Sequence, residues 1–177
     1  MSTPSASNAA PDQRPGSRRA QFLADRIEEG AAKLAAFIQE LPEALWKKPI
    51  SATDRRTVGI VVHHVAFVYP IEIELARAIG SGKAVETSWP DVAKLNADHA
   101  GDNADVSKAE ALEALAKNSR DAAAAVRTFT DDELDRTAPF GLSYGAPVTA
   151  QFVIEDHALR HAWHHLAKIK EAVKGQS

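Results

Sequence analysis

The sequence predicts an all-α protein that folds as a four-helix bundle. The 177-residue chain is 45% hydrophobic, 25% charged and only 6% aromatic, and it is rich in alanine, the residue with the strongest helix preference. In four long segments apolar residues recur every three or four positions, as they do on the buried face of an amphipathic helix. No segment alternates apolar and polar residues convincingly, so we expect no strand. A bundle buries four such faces in one domain of this length.

The helix boundaries follow from capping residues and from residues that break helices. Pro42 ends or kinks the first helix, because proline has no backbone N–H to donate. Thr57 can cap the start of the second helix, and the glycines after residue 79 end it. Ser107 and Glu110 form a capping box, and Thr130 begins another. The predicted helical spans are residues 17–41, 57–79, 89–99, 107–129, 130–135 and 149–173.

The composition of the chain limits its domains and its partners. Residues 1–16 are mostly Ser, Ala, Pro, Asn and Gln and are predicted to form a disordered tail, which leaves residues 17–177 for the bundle. The 21 basic and 24 acidic residues give a formal net charge of −3. This balance predicts no nucleic-acid partner and no anionic membrane partner.

The chain contains no cysteine, which excludes disulfides, thiolate metal sites and a cysteine nucleophile. Any metal ion must then be bound by nitrogen and oxygen atoms. No uninterrupted apolar stretch reaches the roughly 18 residues of a membrane helix, since histidine, proline and glutamate interrupt the best candidate, residues 58–73. Arg18 and Arg19 resemble an export signal, but charged residues follow them instead of an apolar segment. We therefore expect a cytoplasmic protein.

Six of the seven histidines fall in two places, and this clustering is the main functional signal in the sequence. His157, His161 and His165 are spaced by four residues, so each lies about 40° from the one before it around a helix, and all three share a face. Imidazoles at positions i and i+4 can bind one ion together, and a third can come from His63 or His64 on the second helix. Neutral imidazoles suit zinc, nickel, manganese or ferrous iron.

Three questions stay open from the residues alone. Periodicity does not decide which of His63 and His64 points inward from their otherwise apolar run. His164 also lies within the arc of the histidines on the fourth helix. A histidine on a helix is often only a surface or hydrogen-bonded residue, in which case the cluster would be structural.

Glu72 and His99 are the weaker candidates for a catalytic role. Glu72 lies two helical turns beyond His64, where it could orient a metal ligand, act as a general base or simply be solvated. His99 lies in a polar insertion that could fold over the metal and assist proton transfer, or it is merely exposed. The GxSxG pattern at residues 141–145 lacks the preceding strand that a serine hydrolase requires. No glutamate has a histidine three residues on, which argues against a ferritin-like di-iron centre.

Three stretches together resemble the DinB-like superfamily of bacterial metalloenzymes. They are Thr57–Ala66 with its adjacent histidines, the acidic turn Asp132–Asp135, and His161–Ile169 with histidines four residues apart. The resemblance covers about residues 22–173 and implies an up-down-down-up four-helix bundle, often a homodimer, with a divalent metal bound by three histidines. This chain departs from the family in having Ala167-Lys168 where Gly-Gln often follows the last histidine.

The resemblance also implies a ligand set and a class of reaction. Carried over position by position, the ligands are His64, His161 and His165, and His157 and His164 have no required role. The ion is expected to be zinc or nickel, with manganese or iron as alternatives. Family members of known activity are transferases and isomerases that use thiols such as mycothiol or bacillithiol, so we expect a small-molecule substrate with a low-molecular-weight thiol. The alternative is a non-catalytic helical metal-binding or stress-response protein, whose site would have no cavity.

Overall fold

The computed structural model describes residues 17–174, so the predicted disordered tail of residues 1–16 lies outside the described residues. The helices are α1 (Arg18–Glu40), α2 (Val58–Gly80), α3 (Trp89–Asp102), α4 (Lys108–Val126), α5 (Asp131–Asp135), α6 (Ala150–Val153) and α7 (Arg160–Val173). The strands are β1 (Thr137–Pro139) and β2 (Pro147–Thr149). A π-helical segment, Ile154–Leu159, joins α6 to α7, so residues 150–173 form one helical rod, which we call the terminal rod.

Side-chain caps begin the helices at the residues that the sequence indicates. Thr57 Oγ1 accepts a hydrogen bond from the backbone N–H three residues on (3.3 Å). Complete capping boxes begin α4 at Ser107 and α5 at Thr130. A further box, formed by Ser88 and Asp91, begins α3 and was not among the sequence predictions. Each cap satisfies backbone N–H groups that the first helical turn leaves unpaired.

The helix α4 runs antiparallel to α1 and parallel to α2. Lys108 at the start of α4 donates to the carbonyl oxygen of Leu41, just after the end of α1 (2.7 Å). Trp46, which precedes α2, donates from Nε1 to the carbonyl oxygen of Val106, which precedes α4 (2.9 Å). The starts of α2 and α4 therefore lie together, beside the end of α1.

The terminal rod runs antiparallel to α2 and parallel to α1. His165, in the second half of the rod, packs on His64 near the start of α2, with ring centroids 5.5 Å apart. Lys170 near the end of the rod lies over the ring of Phe37 near the end of α1 (5.3 Å). The order α1, α2, α4 and terminal rod therefore runs up, down, down, up. This result confirms the predicted four-helix bundle and the topology that the resemblance implies.

The helix α2 is the central helix of the core. It corrects the expectation that no segment of the chain is long and apolar enough to cross a membrane. By length and composition it is apolar enough to cross a membrane, with a mean hydropathy of 1.5 over 18 residues. However, 67% of that window is buried inside the protein, where α4 and the terminal rod pack against it. A helix that is covered on several sides carries apolar residues all round, which explains its hydropathy without a membrane.

A short β-hairpin corrects the expectation that the chain has no strand. β1 pairs antiparallel with β2, with Thr137 opposite Thr149 and Pro139 opposite Pro147. Proline at the strand ends hides the hairpin in the sequence, because proline usually marks a turn or a strand boundary. The backbone N–H of Val85 donates to the carbonyl oxygen of Pro139 (2.9 Å), which ties the loop after α2 to the hairpin.

The hairpin loop holds α3 against the bundle. Trp89, the first residue of α3, donates from Nε1 to the carbonyl oxygen of Leu142 (3.1 Å). Gly141 approaches the preceding loop so closely that a Cβ there would lie 2.3 Å from the carbonyl oxygen of Thr87, so the contact requires glycine. The GxSxG residues thus form a short turn within a hairpin and not the strand-to-helix elbow of a serine hydrolase.

Candidate metal centre

Three imidazoles from two antiparallel helices converge inside the bundle. His64 comes from α2, and His161 and His165 come from successive turns of α7. One nitrogen of each ring lies within 4.8 Å of the others, and the Nε2 atoms of His64 and His161 are 3.1 Å apart. Nitrogen ligands of one tetrahedral zinc ion lie about 3.3 Å apart, so the cluster is close to the dimensions of a metal site.

Burial keeps two of these imidazoles neutral, which is the form that binds a metal ion. His64 is only 4% exposed and His165 only 6%. Burial lowers the pKa of His64 from 6.5 to about 3, with a smaller contribution from the neighbouring His161. Burial also lowers the pKa of His165. Both rings are therefore uncharged at neutral pH and have a lone pair to donate.

Hydrogen bonds within the described chain do not account for the burial of two of these rings. A buried polar atom that only helps to build the fold normally has a hydrogen-bond partner. Nδ1 of His64 and Nδ1 of His165 are buried and have no partner among the described residues. Three nitrogen donors gathered in an apolar core fit a divalent ion, which would offset the cost of burying them together.

Glu72 orients one of the three imidazoles. Its Oε1 lies 2.8 Å from Nδ1 of His161, and the carboxylate is almost completely buried. This contact holds the proton of His161 on Nδ1 and leaves the Nε2 lone pair directed at His64. Of the roles that the sequence left open for Glu72, the geometry supports the orientation of a metal ligand.

The variant Glu72→Gln is expected to weaken metal binding by about 10- to 100-fold, the usual cost of losing a carboxylate that supports a ligand histidine. A glutamine amide still accepts a hydrogen bond from His161 but without the negative charge that raises the basicity of the ring. The measurement is a zinc titration against a chromophoric chelator. Glu74→Gln, an exposed carboxylate on the same helix, is the control. Equal zinc affinities for the two variants would show that Glu72 does not support the site.

The structure separates His63 from His64. His63 points towards α3, where its Nδ1 lies 2.9 Å from Nε2 of His99, and the two rings are stacked. His99 is 4% exposed, packs against Phe67, and has its pKa lowered by burial to about 4. It lies behind His64 and not among the residues that line the adjoining cavity. The structure therefore brings His99 close to the cluster without placing it where a substrate would bind.

The other histidines of the terminal rod lie outside the cluster. His157 shares a face with His161 in a regular helix, but it lies in the π-helical segment, and the wider turn there changes its phase. Its ring packs edge-on against Phe140, with centroids 5.6 Å apart. His164 is exposed beside His165. His157 nevertheless lines the same cavity as His161 and His165.

A cavity of about 310 Å³ adjoins the histidine cluster and reaches all three rings. Its walls come from α2, α3 and the terminal rod. Trp89, Val92, Leu95 and Asn96 of α3 contribute to this lining. This volume suits a small organic molecule. A non-catalytic metal-binding protein was expected to have no such cavity.

Three basic residues that the sequence analysis did not single out also line the cavity, namely Arg56, Arg160 and Lys168. A signal for two of them is present in the sequence. Arg160, His164 and Lys168 repeat at intervals of four, which places them on one helical face. Charged residues on a helix face are usually solvated, so this spacing alone does not predict that they line a cavity.

Fold and site together define a class: an up-down-down-up helical bundle with a three-histidine cluster beside a cavity. The sequence profile of the DinB superfamily matches residues 26–169, and the chain belongs to this superfamily. The structure is similar to that of YfiT from Bacillus subtilis, which is described as a probable metal-dependent hydrolase with an unusual four-helix bundle topology. The two chains are 19% identical, with a TM-score of 0.70, over 95% of this chain and 93% of that one. No curated protein matches the chain.

Proposed function

We propose that this protein is a divalent-metal-dependent enzyme and that His64, His161 and His165 bind the ion. The observation that carries the proposal is the convergence of three imidazoles from two helices at the wall of a cavity. A divalent ion in such a site acts as a Lewis acid and lowers the pKa of a coordinated water or thiol, so that a nucleophile exists near neutral pH. Zinc and nickel are the preferred ions, with manganese and iron as alternatives.

The residues of the chain have distinct tasks in this proposal. The histidines supply three ligands, fewer than these ions accept, so positions stay open towards the cavity. Glu72 holds the ring of His161 in the orientation that directs Nε2 at the cluster. The apolar side chains of α2 and α3 exclude water from one side of the cavity and give a substrate a surface on which to bind.

Hydrolysis is the reaction that we propose first, because it requires no reactant beyond water and substrate. The similarity to YfiT, whose description names a probable metal-dependent hydrolase, supports it. The second candidate is a transferase or isomerase reaction with a low-molecular-weight thiol, as the family resemblance implies. Since the chain has no cysteine, that thiol must come from a cosubstrate.

The experiment compares metal-free protein with protein reloaded separately with zinc, nickel, manganese or iron(II). Each sample is assayed for hydrolysis of a panel of small esters and amides, and for consumption of mycothiol or bacillithiol with an electrophile. We expect turnover in at least one reloaded sample, its loss after chelation, and its recovery when the ion returns. Stoichiometric metal without turnover in either panel would favour the non-catalytic alternative. Equal activity with and without metal would overturn the proposal.

Two expectations about the protein as a whole stay predictions. The resemblance implies a homodimer, and the composition indicates a cytoplasmic protein. The cavity and the histidine cluster are formed within a single chain. The proposed chemistry therefore depends neither on a homodimer nor on a cytoplasmic location.

A further inference from the structure

Basic side chains line one edge of the cavity beside the histidine cluster. We call Arg56, Arg160 and Lys168 the basic edge. We infer that the basic edge binds the anionic group, a carboxylate or phosphate, of a small organic substrate whose apolar part lies against α2 and α3. This inference rests on the proposed function, since it names the class of substrate for the same cavity.

Arg160 and Lys168 belong to a regular stripe along α7. With His164 between them they are spaced by four residues, so the three lie on one face of the helix. The stripe runs directly beside His161 and His165, each of which follows a member of it in the sequence.

Arg56 faces the cavity from the connection before α2. Its guanidinium is held by Asp54 through two hydrogen bonds, from Nε to Oδ1 (2.9 Å) and from Nη2 to Oδ2 (2.7 Å). These contacts use two of the roughly five N–H donors of a guanidinium and leave the others for a ligand. The contacts also fix the side chain, so little conformational entropy is lost when an anion binds. The charge of Lys168, after that of Arg56, helps to lower the pKa of Asp54, so both basic residues lie near this carboxylate.

Carboxylates pair with two of the three cations of the basic edge, Asp54 with Arg56 and Asp156 with Arg160, which leaves Lys168 as the cation open to an anion. Asp156 pairs with Arg160 (3.0 Å), and Glu72 is engaged by His161 (2.8 Å). Within residues 17–174, Lys168 has no ion-pair partner. Imidazole ligands bring no negative charge to a metal ion, so a bound divalent ion would add to the positive potential. Lys168, and a bound divalent ion, would both favour an anion over a neutral or cationic molecule of the same shape.

The side chains that α2 and α3 contribute to the cavity are mostly apolar. Val68 and Leu75 contribute from α2, and Trp89, Val92 and Leu95 contribute from α3. Hydrocarbon of a ligand that covers these side chains binds favourably, because apolar surface is removed from water. A second charged group on the ligand would gain no such stabilisation there. The complementary ligand is therefore amphipathic, with one anionic end and an aliphatic or aromatic body.

The test is a binding measurement on chelator-treated, metal-free protein, so that a probe cannot bind through the metal. Four probes share a six-carbon chain: hexanoate, hexyl phosphate, hexanamide and hexylamine. Binding is followed by two-dimensional amide NMR at low ionic strength. We expect hexanoate or hexyl phosphate to bind at least about 10-fold more tightly than hexanamide, because charged partners strengthen the hydrogen bonds. Hexylamine should not bind. The ratio of hexyl phosphate to hexanoate affinity identifies which anion the edge prefers.

Lys168→Gln is the main variant, since this exposed side chain has no ion-pair partner in the described chain on which the fold could depend. It should lose most of the preference for the anion, and Arg56→Gln should lose at least as much. Lys170→Gln is the matched control, because Lys170 lies on the same helix but over Phe37, outside the cavity. It should bind the anions as the wild type does.

Equal affinity for hexanoate and hexanamide in the metal-free wild type would overturn the inference. So would anion binding that Lys168→Gln leaves unchanged, or binding that occurs only with zinc present. Zinc content is measured separately for each variant. Zinc binding without a preference for anions would refute only the inference that the basic edge binds an anion. A preference for anions without zinc binding would refute the proposed metal enzyme and leave the anion site.

Discussion

Replacing His161 with alanine is expected to reduce zinc affinity by more than about 100-fold, so that the purified variant carries no stoichiometric metal. Loss of an outer partner of a ligand already costs about 10- to 100-fold, and loss of the ligand itself costs more. Of the three proposed ligands, His161 is expected to show the greatest effect, because it faces His64 at 3.1 Å and is itself held by Glu72. The measurement is elemental analysis of untagged protein together with a competition titration against a chelator.

The matched control for this variant is His164→Ala on the same helix, since His164 is exposed and lies outside the cluster. It should retain the metal of the wild type. Because alanine at position 161 also leaves the buried Glu72 without its partner, folding is checked by circular dichroism, and His161→Gln provides a second variant that can still donate to Glu72. Metal content unchanged in both folded variants of His161 would mean that the ion is bound elsewhere.

Local sequence signals predicted the helices. The elements that they did not predict depend on contacts between residues far apart in the chain. Thr57, Ser107 and Thr130 cap helices because each side chain bonds to a backbone N–H within the next turn, a contact that the sequence alone specifies. The hairpin of β1 and β2 depends on the pairing of Thr137 with Thr149 across an intervening loop, and no local pattern reveals it. The π-helical segment Ile154–Leu159 is likewise marked by no local sequence pattern.

The candidate site was predictable where it depends on one helix and not where it depends on two. Helix geometry places His161 and His165 together, and the structure agrees. The choice of His64 over His63 came from the family resemblance, because α2 is apolar all round and its periodicity does not mark an inner face. The partner of Glu72 could not be identified, since its contact with His161 depends on the register between α2 and α7.

Acidification is expected to destabilise the metal-free protein strongly between pH 6.5 and pH 4. In the unfolded chain a histidine binds a proton near its ordinary pKa of 6.5, whereas burial lowers the folded pKa of His64 to about 3 and of His99 to about 4. Between these values the unfolded state binds more protons, so the free energy of unfolding falls as the pH falls. Each of the two histidines contributes a loss of about 1.4 kcal/mol per pH unit, or about 2 kcal/mol at pH 5.

Denaturant titrations of metal-free protein at pH 7, 6 and 5 measure this loss directly. His64 and His99 together should account for about 4 kcal/mol of it at pH 5, and the lowered pKa of the buried His165 adds to the loss. His99→Phe tests the assignment, because a phenyl ring can pack against Phe67 in place of the imidazole but cannot bind a proton. That variant should lose stability with a slope smaller by about one proton. His164→Gln, at an exposed position, should change the slope much less. If the wild type were equally stable at pH 7 and pH 5, its imidazoles would have to be charged or solvated in the folded state, and neutral metal ligands would no longer be supported.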